Sequence, residues 1–124
     1  MPESQKDHQH DLDESVLAKL GKIGGDQFVG ELIGLFLEHV PKKIDAAVAA
    51  EKAGDLDAVE RAVHSVKSSA GNIGAKTLLE LSSQLERLAS EGSDKSIPPL
   101  MRQLEAAYSR LQPRLEMIKK GMEE

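Results

Sequence analysis

The chain has 124 residues, a formal net charge of −5 and no cysteine. That length gives one domain with a single core, and the absence of thiols excludes disulfides, thiolate catalysis and zinc–thiolate centres. The acidic balance, with no long basic run, argues against nucleic acid as the main ligand, because phosphate backbones need clustered Lys and Arg. Phe28, Phe36 and Tyr108 are the only aromatic residues. The core must therefore be built from Leu, Ile, Val, Ala and Met, which favours helices over sheets. No apolar run approaches the roughly 18 residues of a membrane span, and the N-terminus lacks an apolar signal region. A cytoplasmic protein is expected.

Residues 1–10 are polar and unpatterned and read as a disordered tail, leaving 11–124 as the domain. His8 and His10 make a poor metal pair on such a tail. Residues 11–20 predict a short first helix, with Asp11 and Glu14 as a capping box and Gly21 as its end. Gly24-Gly25 is a hinge; it lacks the spacing and preceding strand of a phosphate loop. Asp26 is a good N-cap for a long helix to about Ala53. The apolar stripe of that helix is wide, with Phe28 and Leu35 spilling over one edge. Packing by neighbours on both sides is one reading, and an apolar patch left open for a partner is the other. Pro41 is expected to kink this helix. His39 reads as structural, since no carboxylate or Lys is placed to activate it.

Gly54 fits the residue after a helix end and Asp55 an N-cap, so the turn into the next helix is tight. That helix should end between Gly71 and Gly74. Residues 75–91 predict a further helix with Leu78, Leu81, Leu85 and Leu88 as its core stripe, closed by Gly92. Gln84 lies on the flank of this stripe, and is a possible hydrogen-bond partner for a group on the preceding helix. Residues 93–96 are a loop, and Pro98 and Pro99 suit the first turn of a last helix. Ile97, Met101, Leu104, Tyr108, Leu111, Leu115, Ile118 and Met122 follow at alternating spacings of 4 and 3. That is the heptad seam of a left-handed bundle. A coiled-coil dimer is the alternative. The other helices each carry an unmatched apolar stripe, so an all-α antiparallel four-helix bundle with a short additional N-terminal helix is expected, as a monomer.

The most informative stretch runs from Ala62 to Gly74. On a helix, Leu56, Val59, Val63, Val66 and Ala70 share one buried stripe, and His64 points roughly 120° away from it. Lys67 at i+3, Ser68 at i+4 and Gly71 at i+7 surround the imidazole. Glycine costs about 1 kcal/mol against Ala inside a helix, so Gly71 needs a reason. Bare backbone beside a nucleophile admits a second protein.

His64, Lys67, the small Ser68 and Gly74 together resemble the motif His-x-x-Lys-Gly-x-x-x-x-x-Gly of histidine-containing phosphotransfer (HPt) domains. Ala62, Ala70, Leu78-Leu79 and Leu85-Glu86 are also similar to that family, and the resemblance spans about Leu12 to Met122 by helix order. One departure stands out: the family's Gly after the Lys is Ser68 here. The resemblance implies a phosphorelay intermediate. His64 accepts a phosphoryl group from a receiver-domain phospho-aspartate and passes it to another receiver, and Lys67 steadies the group. Ser68, Gly71, Phe28 and Leu35 would serve access and docking, with Gln84 behind the site. The partners implied are response-regulator receiver domains or a hybrid sensor histidine kinase.

The chemistry of the residues agrees. An unprotonated imidazole is a nucleophile near neutral pH, with a reference pKa of about 6.5. Lys67 stays cationic and cannot be a base, but it attracts phosphoryl oxygens. The sequence has no nucleotide-binding loop, no His/carboxylate metal cluster and no Ser/His/Asp constellation. A phosphocarrier without ATP-dependent kinase activity or a cofactor of its own is expected, with Mg²⁺ supplied by the receiver. The alternatives are a helical-bundle interaction module with no transfer activity, a sensor-kinase dimerisation domain and a small-molecule enzyme. Kinase dimerisation helices carry an acidic residue directly after the His and a Pro soon after; Ser65 and the Pro-free helix fit poorly. No converging polar residues mark a small-molecule site.

Overall fold

The computed structural model describes residues 10–123, and those residues are all helix and short connection, with no strand among them. The expectation for the tail falls mostly on residues 1–9, outside the described residues. Four helices form the bundle: α1 Glu14–Ala53, α2 Leu56–Ile73, α3 Lys76–Glu91 and α4 Ile97–Glu123, with one 3₁₀ turn at Asp94–Ser96. Each helix packs on the next, and α4 closes the ring against α1. The tight links force antiparallel neighbours.

The seam expected on α4 is buried at Ile97, Met101, Leu104, Leu111 and Leu115, joined by Ala107. Tyr108, Ile118 and Met122 pack half-buried against the same core. Val29, Ile33, Val40, Val59, Val63, Leu78 and Leu85 meet it from the other three helices. Truncating a fully buried Leu such as Leu85 to Ala costs about 2–5 kcal/mol. The fold is therefore stiff where it carries α2 and α3.

The N-terminal region departs from expectation in two ways. First, Asp13, not Asp11, caps α1, accepting from the Ser15 backbone N–H at 3.1 Å. Asp11 is buried instead and accepts two hydrogen bonds from the Arg110 guanidinium, at 3.0 and 3.2 Å. A buried carboxylate needs such a partner, and the cation that supplies it is 99 residues away in sequence. Second, the helix does not stop at Gly21. It runs to a break at Gly25, whose φ of 84° and ψ of 176° suit glycine alone. The break falls at the hinge expected for Gly24-Gly25, and the chain is helical through Pro41.

The arm before the break, residues 14–24, folds across one end of the bundle. Leu12 and Leu17 are buried there, and Glu14 pairs with Arg114 at 2.8 Å. The Asp13 backbone N–H donates to the Gly74 carbonyl at 2.8 Å. The arm thus rests on the C-terminal end of α2.

Candidate functional site

Helix α2 begins at the N-cap Asp55, whose side chain accepts from the Ala58 N–H at 3.1 Å, and ends at Gly74 in the left-handed conformation. Val59, Val63, Val66 and Ala70 are fully buried. Those four side chains fix the rotation of the helix and turn His64 outward, with 59% of its side chain exposed. Lys67, one turn on, is 38% exposed.

Helix α3 supplies what the ring touches. Leu85 is fully buried, so the next residue, Glu86, emerges on the flank against α2. Its Oε2 lies 2.6 Å from His64 Nδ1, and its Oε1 accepts from Lys67 Nζ at 2.9 Å. One carboxylate thus serves both residues. With Nδ1 as an N–H donor toward the carboxylate, the lone pair of the neutral ring sits on Nε2. The hydrogen bond from Lys67, above all, holds the Glu86 carboxyl below its usual range; burial opposes this and the His64 contact adds to it. A carboxyl lowered in the folded chain stabilises it above the ordinary carboxylate pKa. That contribution is lost as pH falls through the lowered value.

Ser68 and Gly71 are exposed on the same helix as His64. A Cβ built at Gly71 would meet only Leu79 Cδ1, at 3.9 Å. The other residues singled out in the sequence lie elsewhere. Gln84 is exposed and forms no hydrogen bond with His64. It precedes Glu86 by two positions, about 200° round the helix, and so lies on the opposite flank of α3. Gln84 is thus a solvated side chain, and the contact with the ring is made by the Glu86 carboxylate. Phe28 is half-buried at the break in α1, where its ring lies over Gly24; a Cβ there would come within 2.4 Å of the ring. Leu35 is 51% exposed on α1, whereas the His64 ring turns to α3. His39 is exposed on α1, with no hydrogen-bond partner for its ring among the described residues.

Sequence reasoning did not single out Glu86 as part of the site. Its signal was present: on α3 it is the acidic residue on the flank opposite Gln84. Choosing between those flanks needs the side on which α2 packs, and helical periodicity alone does not give it.

The arrangement offers an exposed imidazole whose Nδ1 faces a carboxylate, with one ammonium on that same carboxylate. Among the described residues, no group of three or more His, Asp or Glu is placed to hold a metal ion. Also among them, no helix is long and apolar enough to cross a membrane.

The bundle thus holds one exposed histidine, His64, against a carboxylate of the neighbouring helix, and comparison with known proteins gives its class. Residues 31–113 match the sequence profile of the Hpt domain, and the chain belongs to that family. It is a histidine phosphotransfer intermediate of a phosphorelay. Its fold is similar to the crystal structure of histidine-containing phosphotransfer protein B (HptB) from Pseudomonas aeruginosa PAO1. The TM-score is 0.84 at 27% identity, covering 89% of this chain and 95% of that one. No curated protein matches the chain.

Proposed function

We propose that His64 is the phosphoryl acceptor and that Nε2 is the reacting atom. The observation that carries this reading is the 2.6 Å contact between His64 Nδ1 and Glu86 on a ring that is otherwise open to solvent. The Nε2 lone pair attacks the phosphorus of a receiver-domain acyl phosphate. The N–P bond forms as the P–O bond breaks, and the electron pair leaves with the aspartate carboxylate. Glu86 holds the ring and favours the cation that attack creates. Lys67 sits one turn away to meet the phosphoryl oxygens; such a bond contributes about 1.5–3 kcal/mol, less where exposed.

The partner is a receiver domain, alone or within a hybrid sensor kinase. It brings Mg²⁺ and most of the transition-state stabilisation, and the chain has no ATP-dependent kinase activity of its own. Ser68 and Gly71 keep the approach to the ring low. The protein works in the cytoplasm as a monomer, a reading supported by apolar stripes that are spent inside one bundle. The test is incubation with a phosphorylated receiver domain, followed by mass spectrometry. Acid-labile, alkali-stable label on His64 is expected. Label on any other residue, or none, overturns the assignment.

A further inference from the structure

Glu86 is bonded to both His64 and Lys67, at 2.6 and 2.9 Å. That sharing matters after phosphorylation, a consequence that rests on His64 being the acceptor. Once Nε2 carries phosphorus, Nδ1–H still faces Glu86 Oε2, and the ring exists as a cation or, after losing that proton, as a neutral phosphoimidazole. The two forms differ sharply as donors. When water or a carboxylate attacks phosphorus, the N–P pair returns to Nε2. From the cation the leaving group is neutral imidazole. From the neutral ring it is imidazolate, a far stronger base and a far worse leaving group.

We propose that Glu86 keeps the phosphorylated His64 ring in its protonated form, and thereby shortens the life of the N–P bond and eases onward transfer. The charged residues of the two helices that meet at the ring are Asp57, Glu60, Arg61 and Lys67 on α2 and Lys76, Glu80, Glu86, Arg87 and Glu91 on α3. Of these, Glu86 alone is bonded to the ring. Lys67 occupies Oε1, so Oε2 is left to the ring proton. Lys67 also holds the carboxyl in its ionised form at neutral pH. An anion beside Nδ1–H raises the pH at which that proton is lost. Glu86 is thus a positioning residue: it acts through the ring and touches no phosphoryl atom.

The test needs no receiver. The full chain is phosphorylated with potassium phosphoramidate as wild type, Glu86→Gln, Lys67→Met and the double variant. Mass spectrometry locates the label, and its loss is followed from about pH 5 to about pH 9, the range that brackets imidazole titration. Glu86→Gln keeps the hydrogen-bond acceptor and removes the charge. The pH at which hydrolysis accelerates should move down by about half to one unit, so label near neutral pH lasts about three- to tenfold longer. The ³¹P shift of the phosphorylated ring should titrate lower by the same amount, and the change should persist in the Lys67→Met background.

Label on His64 with an unchanged pH profile overturns this inference alone. An effect that vanishes without Lys67 does so too, since the carboxylate would then act only by holding the lysine. Label elsewhere than His64 overturns the acceptor assignment as well. If Glu86→Gln fails to fold, the wild type still decides: the ³¹P titration midpoint must be higher in the folded chain than in urea.

Discussion

The bundle has two faces that carry glycine, and they use it differently. On the α1–α4 face, large side chains reach across. Phe36 stacks on Tyr108 with ring centroids 6.3 Å apart, and Arg102 pairs with Glu51. Met122 and Lys119 lie over Gly30 and Gly34, where added Cβ atoms would meet them at 3.6 and 3.1 Å. On the α2–α3 face, Gly71 is exposed and nearly uncovered, Ser68 stands open beside it, and no aromatic residue is present. Among the described residues, Lys67 and the His64 ring bond across that face, both to Glu86. Glycine on the first face lets neighbouring side chains settle onto the helix. On the second it leaves the surface low around the exposed His64.

The strongest way to break this contrast is His64→Gln. The side chain is exposed, so its loss leaves no cavity, and stability should stay within about 0.5 kcal/mol. Phosphoryl acceptance should vanish entirely. Retained label in the variant, measured with a phosphorylated receiver, would move the chemistry to another residue and strip the α2–α3 face of its purpose.

Gly74→Ala separates the glycine that builds the end of α2 from those that leave space. Gly74 has φ of 80°, and an added Cβ would lie 2.7 Å from the Asp13 carbonyl oxygen and 2.9 Å from Val16 Cβ. Left-handed strain of about 1–2 kcal/mol adds to that clash, for a total near 2–3 kcal/mol and a Tm drop of roughly 8–15 °C. Thermal melting checks this. A drop under about 2 °C, well below the shift expected for 1 kcal/mol, would mean that the arm over α2 is held by something other than this contact.

Much of this was legible in sequence, for reasons that differ by residue. The α4 seam, the Asp55 cap and the Gly54 turn follow from spacing and local backbone chemistry. His64 stood out because its neighbours at i+3, i+4 and i+7 lie on the same helix, where periodicity alone sets proximity. Glu86 and Asp11 did not, because each is defined by a partner on another helix. Nothing local distinguishes an Asp that caps its own helix from one that reaches Arg110. The break at Gly25 was legible too, because a Gly-Gly pair adopts a backbone that other residues resist.

Ser68→Gln sharpens the contrast on the docking side. Gln has good helix propensity, so the fold should be unaffected. It places a long side chain one turn from the imidazole. Transfer from a receiver to His64 should fall by at least about tenfold, the equivalent of 1.36 kcal/mol of lost docking or alignment. Ser68→Gly should transfer at least as well as the wild type while melting slightly lower. Equal transfer rates for Ser68→Gln and wild type would show that the partner approaches over a different face.

The smallest effect comes from adding a single methyl group to each face in turn. Gly71→Ala lies within α2, with ordinary contact to Leu79 and open solvent otherwise. It should stabilise the chain by up to about 1 kcal/mol, the intrinsic helix preference of Ala over Gly. Gly34→Ala has the same preference, but its methyl must push aside Lys119 Cε, 3.1 Å away. Lys119 is tied to Glu123 at 2.6 Å, so part of the gain is offset and the net change should be smaller. Transfer should respond in the opposite order. Gly71→Ala raises the surface beside His64 and should slow transfer by about two- to threefold, under 1 kcal/mol of barrier. Gly34→Ala lies on the far face and should leave the rate unchanged. The measurement is the transfer rate from one receiver for both variants, with melting curves run beside it. Equal slowing by both would mean that the methyl acts through the whole bundle, and the distinction between the two faces would fail.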